Sequence, residues 1–198
     1  MARTTSGRST DSPRDAIALL KQDHRTVSAL FDEFEKADED EQSAIAQRVC
    51  QLLTVHATIE EELLYPAAKE ALAEDEDDDL VNEAEVEHGS AKELIAKIEA
   101  MSSGDEHFEA TVKVLGEYIK HHVKEEEGEL FPKLKKTELD LKEMGSQLSE
   151  RKFALMEQMG IEAEEEPAQP RKRSASGKAT RSARSKSGNR RSGSRARH

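Results

Sequence analysis

Two stretches of eleven residues decide the fold. They read HATIEEELLYP over residues 56–66 and HVKEEEGELFP over residues 122–132. The two align without gaps on the pattern H-x-x-x-E-E-x-x-L-[YF]-P. A histidine and a glutamate four residues apart lie on one face of a helix, one turn from each other. The chain therefore carries the same histidine–carboxylate pair twice.

The segments that precede these motifs are repeated as well. Apolar or histidine side chains stand at positions 17, 20, 24, 27, 31 and 34, and a shift of 64 residues leads to the matching positions 81, 84, 88, 91, 95 and 98. The third member of each set is a histidine, His24 or His88. Alternating steps of three and four residues predict amphipathic helices. The sequence thus predicts a helical hairpin that is present twice.

Four such helices with short connections predict an all-α, antiparallel up-down four-helix bundle. The predicted connections are acidic at residues 38–41 and 74–79 and read Ser-Ser-Gly at residues 102–104. Pro66 and Pro132 are expected to end or kink the second and fourth helices, because proline removes a helical N–H donor. A fifth apolar segment over residues 141–159 predicts an additional C-terminal helix.

The composition agrees with long, solvated helices. Of 198 residues 36% are charged and 4% aromatic, which argues against a β-sandwich or a large α/β enzyme. A single cysteine, Cys50, excludes an intramolecular disulfide and a zinc-finger site, and it reads as a small buried apolar residue. The N-terminus lacks the apolar segment of a signal peptide, and no run of 18 apolar residues occurs. We expect a cytoplasmic protein.

The net charge of −12 is the sum of an acidic part and a basic part of the chain. Residues 1–166 hold 19 basic and all 42 acidic residues, a net charge of −23, whereas the eleven Lys and Arg of residues 171–197 stand without any acid. The expected organisation is a disordered N-terminus over residues 1–13, the bundle with its C-terminal helix over residues 14–160, and a disordered acidic-to-basic tail over residues 161–198. The tail predicts weak, non-specific nucleic-acid binding, because it has no aromatic residue to stack on bases; a tether to an anionic membrane and a plain solubilising tail are the alternatives.

Six polar residues stand where the helical pattern requires buried side chains. Two carboxylates buried together repel each other, and each costs several kcal/mol if it stays unpaired. Two cations would neutralise the carboxylates, and neutral imidazoles would complete the coordination. The sequence therefore predicts a two-metal site made of His24, His56, Glu60, His88, His122 and Glu126.

The donor set limits the choice of metal. Without thiolates, mixed nitrogen and oxygen donors suit iron, manganese or zinc, and a set of six favours a redox pair such as iron over four-coordinate zinc. A ferritin-like site needs Glu-x-x-His on two helices. The segment Glu85–His88 is the one match to that pattern in the sequence, so the second Glu-x-x-His motif that a ferritin-like site requires is missing.

These motifs, together with Asp23-His24 and Glu87-His88, resemble the hemerythrin-like (HHE cation-binding) family over about residues 14–134. The resemblance implies that the six residues ligate a non-haem di-iron centre, oxo- or carboxylate-bridged, with manganese or zinc fitting less well. It implies dioxygen as the ligand, or peroxide or nitric oxide in related members. Oxygen-carrying hemerythrins have a second histidine one turn after the third-helix histidine. Here that residue is Lys92, which favours sensing or peroxide chemistry over simple oxygen storage.

Three function hypotheses follow: a di-iron protein that binds or senses dioxygen or a related oxidant, a peroxide-decomposing (catalase-like) enzyme, or a DNA-associated iron and oxidative-stress protein that uses its tail.

Glu61 and Glu127 recur in both motifs, either as residues that orient the ligands or as exposed charges. Tyr65 and Phe131 are expected to cap the core beside the metals. His121 falls on the polar face of its helix and is expected at the surface.

Overall fold

The computed structural model describes residues 15–73 and 79–161, and every regular element in these ranges is helical. The prediction of an all-α fold is therefore confirmed. The predicted disordered N-terminus, the centre of the acidic connection and the basic tail lie outside the described residues, apart from Ile161. The α-helices are α1 Ala16–Phe34, α2 Glu39–Ile59, α3 Tyr65–Leu72, α4 Asp79–Glu99, α5 Phe108–Glu125, α6 Phe131–Leu134 and α7 Leu141–Gln158. Two π-helical segments, π1 Glu60–Leu64 and π2 Glu126–Leu130, follow α2 and α5.

Aspartates begin three of the long helices. The side chain of Asp15 accepts a hydrogen bond from the Ala18 N–H, Asp38 accepts from the Glu41 N–H, and Asp140 caps the start of α7 in the same way. Each cap satisfies a backbone donor that has no partner within the helix. The helix starts are therefore set locally, by residue type.

The long helices pack as hairpins. Gln42 Nε2 donates to the carbonyl oxygen of Phe34 at the turn between α1 and α2, and further along His24 meets His56. The contacts thus run in opposite order along the two helices, which makes α1 and α2 antiparallel. Helices α4 and α5 pack on each other after the turn at residues 100–107, and α7 packs on α1, α2 and π1.

Two buried apolar clusters lie on either side of the four histidines. One contains Leu20 and Tyr65 and reaches Leu148 of α7, and the other contains Val27 and Leu115. In α1, His24 lies between Leu20 of the first cluster and Val27 of the second. The predicted metal ligands therefore form a polar layer inside an otherwise apolar core.

Each π segment starts at a predicted ligand, Glu60 or Glu126. The Tyr65 N–H bonds the carbonyl of Glu60, and the Phe131 N–H bonds that of Glu126, each five residues back. Pro66 and Pro132 follow in the first turn of the next α-helix, where a missing N–H costs little. The chain therefore continues as a helix past both prolines, after one wide turn.

Among residues 15–73 and 79–161, no helix is both long and apolar enough to cross a membrane.

Candidate metal centre

The structure brings the six predicted residues together. Four helices supply one histidine each, and each π segment supplies a glutamate from its first position. All six side chains are buried, and none is more than 6% exposed: His24, His56, Glu60, His88, His122 and Glu126. The i, i+4 spacing of each histidine and glutamate places them on one inner face, as the sequence predicts.

The donor atoms form two groups that share one carboxylate. His24, His56, Glu60 and Glu126 make up the first, and Glu60, His88 and His122 the second, with the donor atoms of each group within 4.8 Å of one another. The Nε2 atoms of His24 and His56 lie 3.2 Å apart, and those of His88 and His122 lie 3.3 Å apart. Two neighbouring sites joined by Glu60 suit a pair of metal ions.

The two central carboxylates lack hydrogen bonds. Both oxygens of Glu60 and both of Glu126 are buried without a hydrogen-bond partner. His56 Nε2 approaches Glu60 Oε2 to 3.1 Å and His24 Nε2 approaches Glu126 Oε2 to 3.2 Å, but these contacts do not have the directions of hydrogen bonds. Buried acceptors without partners are costly and uncommon in folded proteins. Four orphaned oxygens facing four imidazole nitrogens fit metal cations.

The surroundings set the charges of the centre. Burial, followed by the negative charge of Glu126, raises the pKa of Glu60 well above its ordinary value. Burial also raises the pKa of Glu126, but His24 and His122 outweigh it and bring that pKa down to about 2. Burial and the nearby His122 and His56 lower the pKa of His88 to about 4. At neutral pH His88 is therefore an uncharged imidazole with a lone pair to donate.

Outer carboxylates face the other ring nitrogens of the histidines. His24 Nδ1 donates to Glu127 at 2.9 Å, His88 Nδ1 to Glu61 at 3.1 Å and His122 Nδ1 to Glu87 at 2.8 Å. His56 Nδ1 lies 3.6 Å from Asp23. A carboxylate that accepts from Nδ1–H leaves Nε2 free to bind metal and fixes the ring orientation. Of the two readings left open for Glu61 and Glu127, the structure supports ligand orientation.

Cations neutralise these outer carboxylates. Lys21 pairs with Glu127 at 2.6 Å, Lys92 with Glu61 at 2.6 Å, and Lys152 of α7 with Asp23. Lys92, which occupies the position of an additional histidine in oxygen-carrying hemerythrins, thus supports the carboxylate that orients His88. At the fourth outer carboxylate, Glu87, the partner is His121, 3.0 Å away.

The repeat is broken at one pair of buried aromatic rings. The hydroxyl of Tyr65 donates to His88 Nε2 at 3.2 Å, whereas its counterpart Phe131 stacks parallel to His24 with ring centroids 6.0 Å apart. One half of the centre therefore carries a hydroxyl group that the other half lacks. From the sequence, both rings were expected to cap the core beside the metals. The difference between tyrosine in one motif and phenylalanine in the other could have indicated the asymmetry.

A small cavity of about 20 Å³ adjoins the histidines on the side of the second apolar cluster. All four histidines line it, and apolar side chains such as Val27, Leu53 and Ile95 form most of its remaining wall. Such a space suits a molecule of two or three atoms with little polarity.

The remaining candidates lie outside the centre. The side chain of His121 is 59% exposed, as expected from its register. With Glu87 and Glu125 it forms a further group of metal-binding residue types, partly open to solvent. Glu85, required by the ferritin-like reading, is paired with Lys69 at the surface. Cys50 is buried as expected, and burial raises the pKa of its thiol to about 12.

Sequence reasoning did not assign roles to Asp23 and Glu87, nor to Lys21 and Lys152. An acid directly before each of the histidines His24 and His88 was the available signal for the first two. No comparable signal marks the lysines, because their partners lie 106 and 129 residues away along the chain.

Comparisons with known proteins agree with this geometry. The model of the Hemerythrin HHE cation binding domain matches residues 15–134. The crystal structure of a Hemerythrin HHE cation binding domain-containing protein from Mycobacterium kansasii superposes with a TM-score of 0.63 and 22% identity, over 73% of this chain and 89% of that one. It has the same fold.

A curated relative is the DNA nickase of Nostoc sp. It is 29% identical over 114 residues, which are 57% of this chain and 31% of the nickase. The similarity thus spans less than a third of that protein's length.

Proposed function

Because this chain belongs to the Hemerythrin HHE cation-binding domain family, we propose that its six buried donors hold two metal ions, iron foremost. The observation that carries the proposal is the set of four orphaned oxygens on Glu60 and Glu126. Two cations bound to these oxygens would offset the cost of burying them without hydrogen bonds, and would remove the repulsion between the two carboxylates. Manganese or zinc would fit the same donors less well.

We further propose the family's topology and organisation for the whole chain. The two hairpins α1–α2 and α4–α5 would form an antiparallel up-down four-helix bundle over residues 14–160, with α7 as the additional helix. Disordered segments over residues 1–13 and 161–198 would flank it in the cytoplasm. Ile161 is only 7% exposed, and its N–H bonds the Met156 carbonyl, so the ordered domain would extend to about that residue.

The small ligand of this centre would be dioxygen or a related oxidant such as peroxide or nitric oxide. The apolar cavity beside the histidines has room for a molecule of that size. A bound iron pair would supply the electrons that such an oxidant takes up. In the proposal the protein thereby binds or senses the oxidant.

The chain's own residues would prepare the site. Outer carboxylates accept hydrogen bonds from Nδ1–H of His24, His88 and His122, so that the Nε2 lone pairs of these three rings point inward. The Tyr65 hydroxyl, which donates to His88 Nε2 here, would be free to donate a hydrogen bond into the site if that nitrogen held a metal. The two apolar clusters would keep bulk water away from the bound ions.

Metal analysis of purified protein tests this proposal. We expect two iron ions per chain and near-ultraviolet absorption after exposure to oxygen. His56→Ala, Glu60→Gln and His122→Ala should each lower the metal content, whereas His107→Ala, at the start of α5 and away from the centre, should leave it at two. Retention of two ions by the His56 and His122 variants would contradict the assignment.

A catalase-like activity is the enzymatic alternative. Lys92 in place of an additional histidine would leave two histidines for each metal, which favours peroxide chemistry over reversible oxygen carriage. Steady oxygen evolution from peroxide by the iron-loaded protein, lost in His56→Ala, would support it. Absence of turnover would leave the binding or sensing function.

Nucleic-acid association is a second candidate function. It is supported by the eleven basic residues of residues 171–197 and by the similarity to a relative named a DNA nickase. The strongly acidic remainder would repel DNA, so contact would be confined to the tail. Conversion of supercoiled plasmid to the open circle, compared between the parent and His122→Ala, would show whether the centre also cleaves.

A further inference from the structure

The internal repeat relates two seams of the bundle. Shifts of 64 residues for the first helix of each hairpin and 66 for the second map α1 onto α4 and α2 onto α5. The seam where α1 meets α5, here the α1–α5 seam, therefore corresponds to the seam where α4 meets α2, the α2–α4 seam. A perfect duplication would give the two seams the same side chains.

The α1–α5 seam is open at the surface. A groove of about 360 Å³ runs along it, lined by Ser28 and Phe31 of α1 and by Gly116 and neighbouring residues of α5. His24, Ile119 and Val123 line both this groove and the small cavity beside the histidines. The surface groove and the inner cavity are therefore separated by these shared side chains.

The α2–α4 seam carries larger residues at two matched positions. Where the α1–α5 seam has Gly116, the α2–α4 seam has Cys50, which is 1% exposed and packs in the cluster that contains Ile95. Where the open seam has Ser28, the other has Lys92. The Lys92 side chain lines the cavity and is held across to Glu61.

The absence of a side chain at Gly116 leaves room for the Phe31 ring in the α1–α5 seam. A Cβ added at Gly116 would lie 3.3 Å from the Phe31 ring, closer than ordinary van der Waals contact. A side chain there would push the ring or fill the floor of the groove. The two seams thus differ in side-chain size: Gly116 and Ser28 line the groove of the α1–α5 seam, whereas Cys50 and Lys92 stand at the matched positions of the α2–α4 seam.

We infer that small ligands reach the metal centre through the α1–α5 seam, and that Ile119 and Val123 form the gate between groove and cavity. This inference rests on the proposed function. The groove carries acidic Asp32, Glu35 and Glu117 beside basic Lys113 and Lys120, so its charges nearly cancel. That balance suits small neutral molecules, whose entry depends on space and not on electrostatic steering.

Nitric oxide, a small neutral molecule, tests the path when its binding to the reduced, iron-loaded protein is followed by stopped-flow absorption. Ser28→Phe should obstruct the groove and slow both association and dissociation by about tenfold or more, leaving the Kd unchanged. Ala29→Phe adds the same ring one residue further round α1, outside the groove, and should keep the parent's rates. Ile119→Ala should speed both rates, whereas Val114→Ala, at an exposed position of α5, should not.

A second measurement does not require metal. Dissolved dioxygen enhances the nuclear relaxation of methyl groups that it reaches, and Val27 is buried against the cavity in the metal-free protein. The enhancement at Val27 should fall in Ser28→Phe and persist in Ala29→Phe. Equal behaviour of the two phenylalanine variants in both measurements would overturn the inference. A parent protein that holds no metal and shows no absorption change with nitric oxide would instead refute the proposed function, and the relaxation measurement would still decide the path.

Discussion

Glu60 and Glu126 occupy equivalent positions in the two repeats, yet their pKa values shift in opposite directions. Burial and the charge of Glu126 raise the pKa of Glu60, while His24 and His122 bring the pKa of Glu126 to about 2. Glu60 therefore holds its proton to a higher pH than Glu126 does. A carboxylate binds metal in its ionised form, so we expect metal affinity to weaken as the pH falls.

Glu60→Gln tests this difference in the metal-free protein. A folded-state pKa raised above the unfolded value of 4.5 contributes stability below that pH and loses it as the pH rises. Relative to the parent, the variant should therefore gain stability as the pH rises above about 4.5, by at most about 1.4 kcal/mol per pH unit. Denaturant unfolding at several pH values measures this, with Glu129→Gln, an exposed residue of π2, as control. A difference that stays constant with pH would contradict the raised pKa of Glu60.

Tyr65→Phe tests the hydroxyl that distinguishes the two halves. Loss of the hydrogen bond to His88 should lower the free energy of unfolding of the metal-free protein by about 0.5–1.5 kcal/mol. Tyr118→Phe, at a position 49% exposed, should change it by less than about 0.5 kcal/mol. Equal effects in urea unfolding would mean that the Tyr65 hydroxyl makes no net contribution to stability.

At the scale of elements, α7 is part of the metal centre's support although the family model ends at residue 134. Its Arg151 makes a two-point ion pair with Glu62 of π1, at 2.6 and 2.9 Å, and its Lys152 pairs with Asp23 beside His56. Helix α7 thus contacts both the wide turn that positions Glu60 and the carboxylate that faces His56. We expect its docking and metal binding to reinforce each other.

Lys152→Met should weaken metal binding without unfolding the protein. The Lys152–Asp23 pair is partly buried, so its loss should raise the metal Kd about two- to tenfold, mainly for the ion held by His24 and His56. Lys152→Arg should restore binding, and Lys113→Met, which breaks an exposed pair on α5, should have no effect. Competition titration with a chelator measures all three. Failure of the arginine variant to rescue would point to a packing role for the Lys152 side chain.

At the scale of the molecule, the charge is divided between an acidic part and a basic tail. Residues 1–166 carry −23 and residues 171–197 carry eleven positive charges. An acidic surface repels a phosphate backbone, and a basic segment binds it through the release of counterions. The two parts therefore predict opposite behaviour toward nucleic acid.

Truncation after Glu166 separates the two contributions. The full chain should retard duplex DNA in a gel shift at about 50 mM salt and lose most of this binding by about 200 mM, without sequence preference. The truncated chain should show no retardation and should keep its metal content. Retardation by the truncated chain would place the DNA contact on the helical domain.

The sequence alone determined the helical class and the six inner donors. Both depend on local geometry: a step of three or four residues defines a helix face, and His56 and Glu60 share a face whatever surrounds them. The repeat then placed His24 and His88 at the same depth as their partners. These inferences needed no knowledge of how the helices pack.

Only the tertiary structure decided which side chains support the candidate centre and where a surface groove approaches it. Lys152 meets Asp23 across 129 residues of chain, and Lys92 supports Glu61, because different helices bring these side chains together. The roles of Glu61 and Glu127 were open for the same reason. The open seam at Gly116 likewise depends on how closely Phe31 approaches from α1. Contacts between helices depend on packing distances, and the period of a single helix does not encode them.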